Sequence, residues 1–358
     1  MIWLLVAVCS TTLLTNIILI ILWLTNFRKY SSIQNNLPKV SILIPARNEE
    51  LNIRRCLDSA ISLNYPAEQL EILVGNDDSQ DKTLEIINSF KDNSLIRIIP
   101  IEPDYNGLKG KANVLAQLAK KAKGEYYFMT DADIALPKNW IQQHLGAMQN
   151  RVGMTVGVTG VRDSPLQNID WIFSISMLKV VTDLGGFVTG IGNNMAVSKQ
   201  AYWSVGGYEN IPFSIIEDYE LSKQIKQKGY QCSLIYQLDA LAISQPIIGF
   251  TNLLKQRKRW MRGAVQLPWF MILLLFIQGV FSVAIIILSF ISFSTALLIF
   301  IAKWITQFFF IKLFSNKIRV KIRLLDTLLF ELYYPVVSIC TIIYFLIPGK
   351  IKWKGRHY

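Results

Sequence analysis

Asp131 and Asp133 stand one residue apart at the end of an apolar run, Tyr126-Tyr127-Phe128-Met129-Thr130. If that run is a strand, the alternation of side chains sends both carboxylates to the same face. Two like charges there repel each other unless a cation lies between them. Hard oxygen ligands that leave room for substrate phosphates suit Mg²⁺ or Mn²⁺. The same residues could equally belong to a surface turn, so their neighbours decide the reading. A second acidic pair, Glu217-Asp218, precedes a helical stretch, Tyr219–Lys228, that Gly229 ends. Such a pair is also what the positive end of a helix dipole favours. A third group, Gln256-Arg257-Lys258-Arg259-Trp260, follows Leu253-Leu254-Lys255. Cations interleaved with Trp and Leu suit a helix lying in a membrane interface. Simple flanking of the next apolar span accounts for the cations, but not for Gln256 or Trp260.

The elements that must position these groups alternate. Val40–Ile44 is a short apolar run ended by Pro45. Glu49–Leu63 has helical spacing through Ile53, Cys56/Leu57 and Ala60/Ile61. Leu70–Val74 and Leu95–Ile99 read as strands, and Lys82–Phe90 and Lys111–Ala122 as helices. Short apolar strands separated by helices predict an α/β fold with a mostly parallel sheet and helices on both faces. Ligands bind such sheets beyond the carboxyl ends of the strands. The chemistry therefore belongs in the loops after Ile44, Val74, Ile99 and Thr130. Three of these are Ala46-Arg47-Asn48-Glu49-Glu50, Asn76-Asp77-Asp78-Ser79-Gln80-Asp81 and Asn106-Gly107-Leu108-Lys109-Gly110-Lys111. Each alone could be caps and turns; four loops converging on one edge make a site. Neither Gly-x-x-x-x-Gly-Lys-Ser/Thr nor Gly-x-Gly-x-x-Gly occurs, so no phosphate-cradling loop or dinucleotide fingerprint is present. Further on, Gly153–Gly160 is β-like. Gly190-Ile191-Gly192-Asn193-Asn194-Met195-Ala196 has the small residues that let a backbone approach a ligand closely.

The 358 residues are 52% hydrophobic, too apolar for an ordinary soluble enzyme. Of the net charge of +12, residues 1–37 carry +2, the run Lys255–Arg262 carries +5 and 303–358 carry +8, leaving 38–254 at −3. The basic excess lies beside apolar segments, where anionic headgroups attract Lys and Arg. A nucleic-acid binder would carry it on the folded domain instead, so no nucleic-acid partner is expected. Residues 1–27 are uncharged and long enough to span a bilayer core, and Arg28 and Lys29 follow them. The positive-inside rule then predicts an anchor with its N-terminus outside and the following domain in the cytoplasm. Residues 263–302 have no charge, and two spans are expected near 267–288 and 294–314. Residues 327–347 are apolar again, interrupted by Glu331 and Pro335, with basic residues on both flanks. Either Tyr333-Tyr334-Pro335 turns a re-entrant hairpin, or the tail lies on the far side against the rule. Cys9, Cys56, Cys232 and Cys340 have neither metal-ligand spacing nor a disulfide pattern and read as reduced intracellular thiols.

With these residues together, the chain resembles an inverting family 2 glycosyltransferase of the GT-A fold, tethered by flanking membrane helices. The resemblance runs motif by motif over about 38–262. Val40–Glu50, with Pro45, Ala46, Arg47 and Glu49, is similar to the family's opening strand and nucleotide loop. Asn76-Asp77-Asp78-Ser79-Gln80-Asp81 resembles its Asp-Asp-x-Ser-Thr-Asp loop. Asn76 replaces the first Asp there, so Asp77 alone carries the role of addressing the base. Gly110-Lys111-Ala112 is similar to the Gly-Lys-Ala element beside the nucleotide, and Asp131-Ala132-Asp133 to the metal and diphosphate motif. Asn193-Asn194-Met195-Ala196 and Gly206-Gly207-Tyr208 resemble the sugar and acceptor region. Glu217-Asp218 is similar to the catalytic Glu-Asp pair, with Asp218 as general base. Gln256, Arg259 and Trp260 complete a Gln-x-x-Arg-Trp found in processive polysaccharide synthases and in ceramide glucosyltransferase-like enzymes, whose ending Trp353–Tyr358 also resembles.

The resemblance implies a divalent cation, Mg²⁺ or Mn²⁺, on Asp133 and Asp131, and a nucleotide-sugar donor, most simply a UDP-sugar. It places Asn194, Gln256, Arg259 and Trp260 at the acceptor and diphosphate. The expected organisation is an anchor (1–27), a cytoplasmic GT-A domain (38–252) and an interfacial segment (253–265). A membrane or re-entrant region (266–347) and a basic tail (348–358) follow. The expected protein is a multi-pass enzyme of a bacterial inner membrane that glycosylates a lipid acceptor. A processive polysaccharide synthase is the first alternative, although three or four spans look too few to enclose a sugar chain. A non-catalytic sugar-nucleotide binder is the second, and the retained acidic residues speak against it.

Overall fold

The computed structural model describes residues 1–149, 151–349, 352–354 and 356–357. Helix α1 (Ile2–Asn26) leads to strand β1 (Val40–Ala46) and α2 (Ile53–Ile61). β2 (Leu70–Asn76), α3 (Thr83–Asn88), β3 (Ile96–Ile99), α4 (Gly110–Lys121) and β4 (Tyr126–Thr130) continue the alternation. Next come α5 (Trp140–Ala147), β5 (Val152–Gly157), β6 (Thr159–Val161) and α6 (Pro165–Asp183). They are followed by β7 (Asn194–Ser198), α7 (Lys199–Ser204), α8 (Gly207–Asn210), α9 (Glu217–Gln227), β8 (Gln231–Ile235) and β9 (Ala242–Ser244). The chain closes with α10 (Phe250–Ala264), α11 (Trp269–Ile291), α12 (Phe293–Lys317) and α13 (Leu324–Leu346). It divides into an α/β unit, Lys29–Arg162 with Thr189–Gln245, and a helical unit, Met1–Arg28 with Asp163–Val188 and Pro246–Tyr358.

In the α/β unit seven strands run in the order β3-β2-β1-β4-β7-β5-β8. β1 is parallel to both β2 and β4, and β7 is antiparallel to β4 and β5. The mostly parallel expectation therefore holds, with β7 as the reversed strand. The central strands are apolar on both faces, as a sheet covered on both sides requires. Val40, Ile42 and Ile44 of β1 pack with Ile53, Cys56, Leu57 and Ala60 of α2 and with Trp140 and Ile141 of α5. On the opposite face α4 packs against β1 and β2. Gly75 permits that approach, because a Cβ there would stand 2.6 Å from the Val114 side chain. From β1 the chain steps outward to β2 and β3, then returns to β4 on the other side. The carboxyl ends of β1 and β4 thus flank a topological switch point, where such sheets bind ligands.

In the helical unit α1, α11, α12 and α13 are each long and apolar enough to cross a bilayer. α6 belongs here, although the sequence reading placed it within the 38–252 domain: Phe173 packs edge-on against Phe310, Phe330 and Tyr334. Its far end holds the end of α1. The Lys179 ammonium donates to Asp183 Oδ1 (2.7 Å) and to the Arg28 carbonyl (2.9 Å), and the Arg28 N–H donates to Asp183 Oδ2 (2.9 Å). Burial pulls the Lys179 pKa down to about 8, against the opposing pull of Asp183. Gln278 of α11 donates to Asn16 of α1 (2.8 Å), and Lys303 of α12 pairs with Glu331 of α13.

The helix α13 runs unbroken through Pro335, so no hairpin turns at Tyr333–Pro335. Just past its last turn, the Ile347 carbonyl accepts a 2.7 Å bond from Lys258 of α10, the helix that carries the basic run 255–262. Its first turn meets the middle of α12, where Trp304 Nε1 donates to Thr327 (3.3 Å). The chain end after α13 therefore departs from beside α10. Gly355 and Tyr358 of the expected tail motif, with Lys350 and Ile351 before it, lie outside the described residues.

Candidate active site

The carboxyl edge of the sheet gathers the acidic groups around one lysine. Gly110, with φ +60°, opens α4 and places Lys111 on its first turn. Lys111 Nζ stands 2.7 Å from Asp131 Oδ1 and 3.0 Å from Glu217 Oε1. Burial works against its charge. Asp131, Glu217 and Asp218 overcome that penalty and hold the ammonium above the ordinary lysine range. Glu217 and Asp218 start α9, where carboxylates favour the helix dipole. The Asp218 carboxylate accepts from the Gly192 N–H (2.6 Å) and from the Tyr219 N–H (2.8 Å). A Cβ on Gly192 would lie 2.8 Å from Lys111 Nζ, and one on Gly190 would lie 2.6 Å from the Asp218 carbonyl. These small residues were expected to admit a ligand. The close approach they permit is to Asp218 and Lys111.

Asp131 and Asp133 lie in the turn just after β4 rather than in the strand itself. Asp131 faces Lys111, whereas Asp133 Oδ2 accepts a long bond from Ser244 (3.4 Å) and the Asp133 carbonyl accepts from Arg55. Among the described residues, no three His, Cys, Asp or Glu side chains form a metal cage. Two carboxylates on one turn still fit a hard cation shared with substrate phosphates, which holds Mg²⁺ by one or two carboxylates and takes the rest of its shell from phosphate and water.

The expected nucleotide residues line the neighbouring loops. Pro45 and Ala46 end β1 in register with Gly75 and Asn76. Arg47 donates to the carbonyls of Asp77 and Asp78 and so ties the β1 loop to the β2 loop. Glu49 and Asp77 are buried, and Glu49 accepts from Asn52 (2.7 Å) while its N–H donates to Thr83 (2.7 Å). Asn194 is placed differently from expectation. It begins β7 and is fully buried, its Oδ1 accepting from Trp140 Nε1 (2.8 Å) and its Nδ2 donating to the carbonyls of Val158 (2.7 Å) and Ala240 (2.9 Å). Its amide braces the core, with His144 Nε2 3.2 Å from Oδ1. Tyr208 is also buried, on a turn that the left-handed Gly206 and Gly207 (φ +77° and +66°) make possible. Burial, helped by Glu217, Asp218 and Asp131, keeps its hydroxyl protonated.

Gln256, Arg259 and Trp260 lie on α10 in the helical unit. There Trp260 packs edge-on against Trp171 (5.2 Å between centroids) and under the Arg257 guanidinium (4.9 Å), which pairs with Asp170. The sequence reading missed Arg55, Ser244, Asp170 and Arg257. Arg55 and Arg257 carried only the generic signal of a basic residue beside a motif.

A family model described as Glycosyl transferase family 21 matches residues 2–358. The chain belongs to that family. The motifs alone point to the family numbered 2; the family that matches is numbered 21, and it too is described as a glycosyl transferase family. The family 21 chain is similar to the probable glycosyltransferase YdaM of Bacillus subtilis (strain 168), with 29% identity over 248 residues, 66% of this chain and 58% of that protein. It is also similar to the poly-β-1,6-N-acetyl-D-glucosamine synthase of Staphylococcus epidermidis, with 28% identity over 233 residues, 63% of this chain and 54% of that one. It thus spans little more than half the length of these relatives. Among solved structures it resembles the mannosyltransferase PcManGT of Pyrobaculum calidifontis in complex with GDP-Man and Mn²⁺. The TM-score is 0.61 at 16% identity, covering 96% of this chain and 99% of that one. The fold is GT-A-like, with apolar helices at both ends of the chain that could span a membrane.

Proposed function

We propose that this family 21 protein is an inverting hexosyltransferase that moves a sugar from a UDP-sugar to a hydroxyl of a membrane lipid. The observation that carries this reading is the set of carboxylates around Lys111 at the sheet's switch point. Asp218 accepts the proton of the attacking hydroxyl as its oxygen bonds to the anomeric carbon, and attack opposite the departing diphosphate inverts that centre. Glu217, paired with Lys111, keeps the lysine beside Asp131 and orients the start of α9. Arg47 fixes the loop that carries Asp77 against the nucleotide base, with Pro45, Ala46 and Glu49 forming its bed. Asp131 and Asp133 would hold Mg²⁺ or Mn²⁺, which when bound offsets the charge growing on the leaving diphosphate. Gln256, Arg259 and Trp260 serve the acceptor and the diphosphate. Asn194 supports the site from beneath, through β7.

The lipid acceptor, of ceramide or diacylglycerol type, is supported by the four apolar helices and by the interfacial character of α10. A processive synthase is the second reading, favoured by the similarity to the staphylococcal polysaccharide synthase. Mass spectrometry of products made with UDP- and GDP-sugars and native lipid extract separates the two. A single-sugar lipid is the expected product; a polymer ladder would replace it with the second reading. The α/β unit is proposed to face the cytoplasm. Gln80 is exposed in the β2 loop, so a Gln80→Cys variant should resist an impermeant thiol reagent on intact cells. Strong labelling without lysis reverses the orientation.

A further inference from the structure

Trp260 is held by a device that the Gln-x-x-Arg-Trp pattern does not contain. Asp170 and Trp171 are adjacent on α6, and Arg257 and Trp260 are one turn apart on α10. Asp170 pairs with Arg257, Arg257 lies over the Trp260 ring (4.9 Å), and Trp260 abuts Trp171 (5.2 Å). The Asp170 side chain is only 4% exposed. A carboxylate so buried needs a matched cation, so Arg257 is not free to swing toward solvent. A planar guanidinium can pair with a carboxylate while stacking on an indole, which an ammonium cannot do. The next residue is tied as well: Lys258 donates to Ile347 O (2.7 Å) and lies over the Tyr344 ring (5.1 Å). α10 is thus gripped by α6 on one side and by the end of α13 on the other.

We infer that Asp170 and Arg257 are positioning residues for the acceptor, acting through Trp260, whose indole they hold between the guanidinium and Trp171. This rests on the reading that Trp260 serves the acceptor. The test compares Arg257→Lys, Asp170→Asn and Trp260→Ala in full-length protein in detergent micelles. The assay uses a UDP-sugar with native lipid extract as acceptor, and thermal unfolding of each variant runs alongside. Arg257→Lys keeps the charge opposite Asp170 and removes the stacking plane. The apparent KM for lipid extract should rise roughly 3- to 30-fold, the span expected of a partly buried cation–π contact, while hydrolysis of the donor by water is unchanged. Trp260→Ala should raise the same KM at least as much, and Arg257→Lys added to it should have no further effect. If Trp260→Ala raises the KM and Arg257→Lys does not, the inference is overturned and the role of Trp260 stands. If Trp260→Ala leaves the KM unaltered, both fall. A general structural fault would lower hydrolysis and transfer together in Arg257→Lys and Asp170→Asn alike, and that outcome also overturns it.

Discussion

Charge is handled in opposite ways in the two units. In the helical unit three buried carboxylates each face one cation: Asp170 with Arg257, Asp183 with Lys179, Glu331 with Lys303. At the carboxyl edge of the α/β sheet, three carboxylates, Asp131, Glu217 and Asp218, surround the single ammonium of Lys111. Matched pairs are complete and resist change. An unbalanced cluster is held together by the fold and stays receptive to charge brought from outside, which is what a site for a cation and a diphosphate needs.

The contrast can be broken from either side. The largest effect is expected from Asp133→Asn, which should abolish transfer and remove the Mn²⁺ dependence of donor binding. Near-normal turnover in saturating chelator would dismiss the metal reading. Asp218→Asn, nearly isosteric, should lower turnover by about 10²- to 10⁴-fold, the range of general base catalysis, with donor affinity retained. If affinity is lost instead and turnover at saturation is normal, Asp218 is a binding group. In the helical unit the prediction concerns stability rather than rate. Lys303→Met should cost about 3–5 kcal/mol of unfolding free energy by stranding Glu331, and the double change with Glu331→Leu should recover most of it. Denaturant unfolding in micelles measures both, and a double variant as unstable as the single one would contradict the matched-pair picture.

The smallest effect tests the support beneath the site. Burial pulls the His144 pKa down to about 3, so the folded protein keeps the ring neutral. The unfolded chain takes up a proton below about 6.5. The stability this group contributes is therefore complete above that pH and drains away as pH falls toward 3, by up to about 1.4 kcal/mol per pH unit. Thermal unfolding at pH 7.5 and 5.5 should show the loss, and His144→Gln should flatten it. An unchanged slope would show that His144 is not the group responsible.

What could be read in the chain was what is locally encoded. The strands from β1 to β4 and their intervening helices announced themselves by alternating periods, and the loops by Asp, Asn and Gly. Those signals alone place Asp77, Lys111 and Asp131 on one edge. Strand direction leaves no local trace, so the reversal of β7 is invisible in sequence; the burial of Asn194 depends on Trp140, Val158 and Ala240, which lie 36 to 54 residues away in the chain. Gly190 and Gly192 signalled close approach without saying to what. Asp170 and Arg257 are far apart in the chain, and nothing beside either residue names the other. The assignment of α6 to the helical unit depends on partners distant in the chain in both directions, from Arg28 to Tyr334.

That discontinuity has a consequence in time. The helical unit is assembled from three stretches, Met1–Arg28, Asp163–Val188 and Pro246–Tyr358. At ordinary rates of protein synthesis, the interval between emergence of α1 and emergence of α13 is on the order of tens of seconds. Throughout the first part of it Asn16 sits in an apolar helix with Gln278 not yet made, and the anchor at Arg28 waits for Lys179 and Asp183. The grip on α10 closes last, when Ile347 arrives to meet Lys258. A nascent chain stalled before residue 347 would carry a completed α/β unit and an α10 held by α6 alone. The contact between Lys258 and Ile347 is thus among the last in the helical unit to become possible as the chain is made.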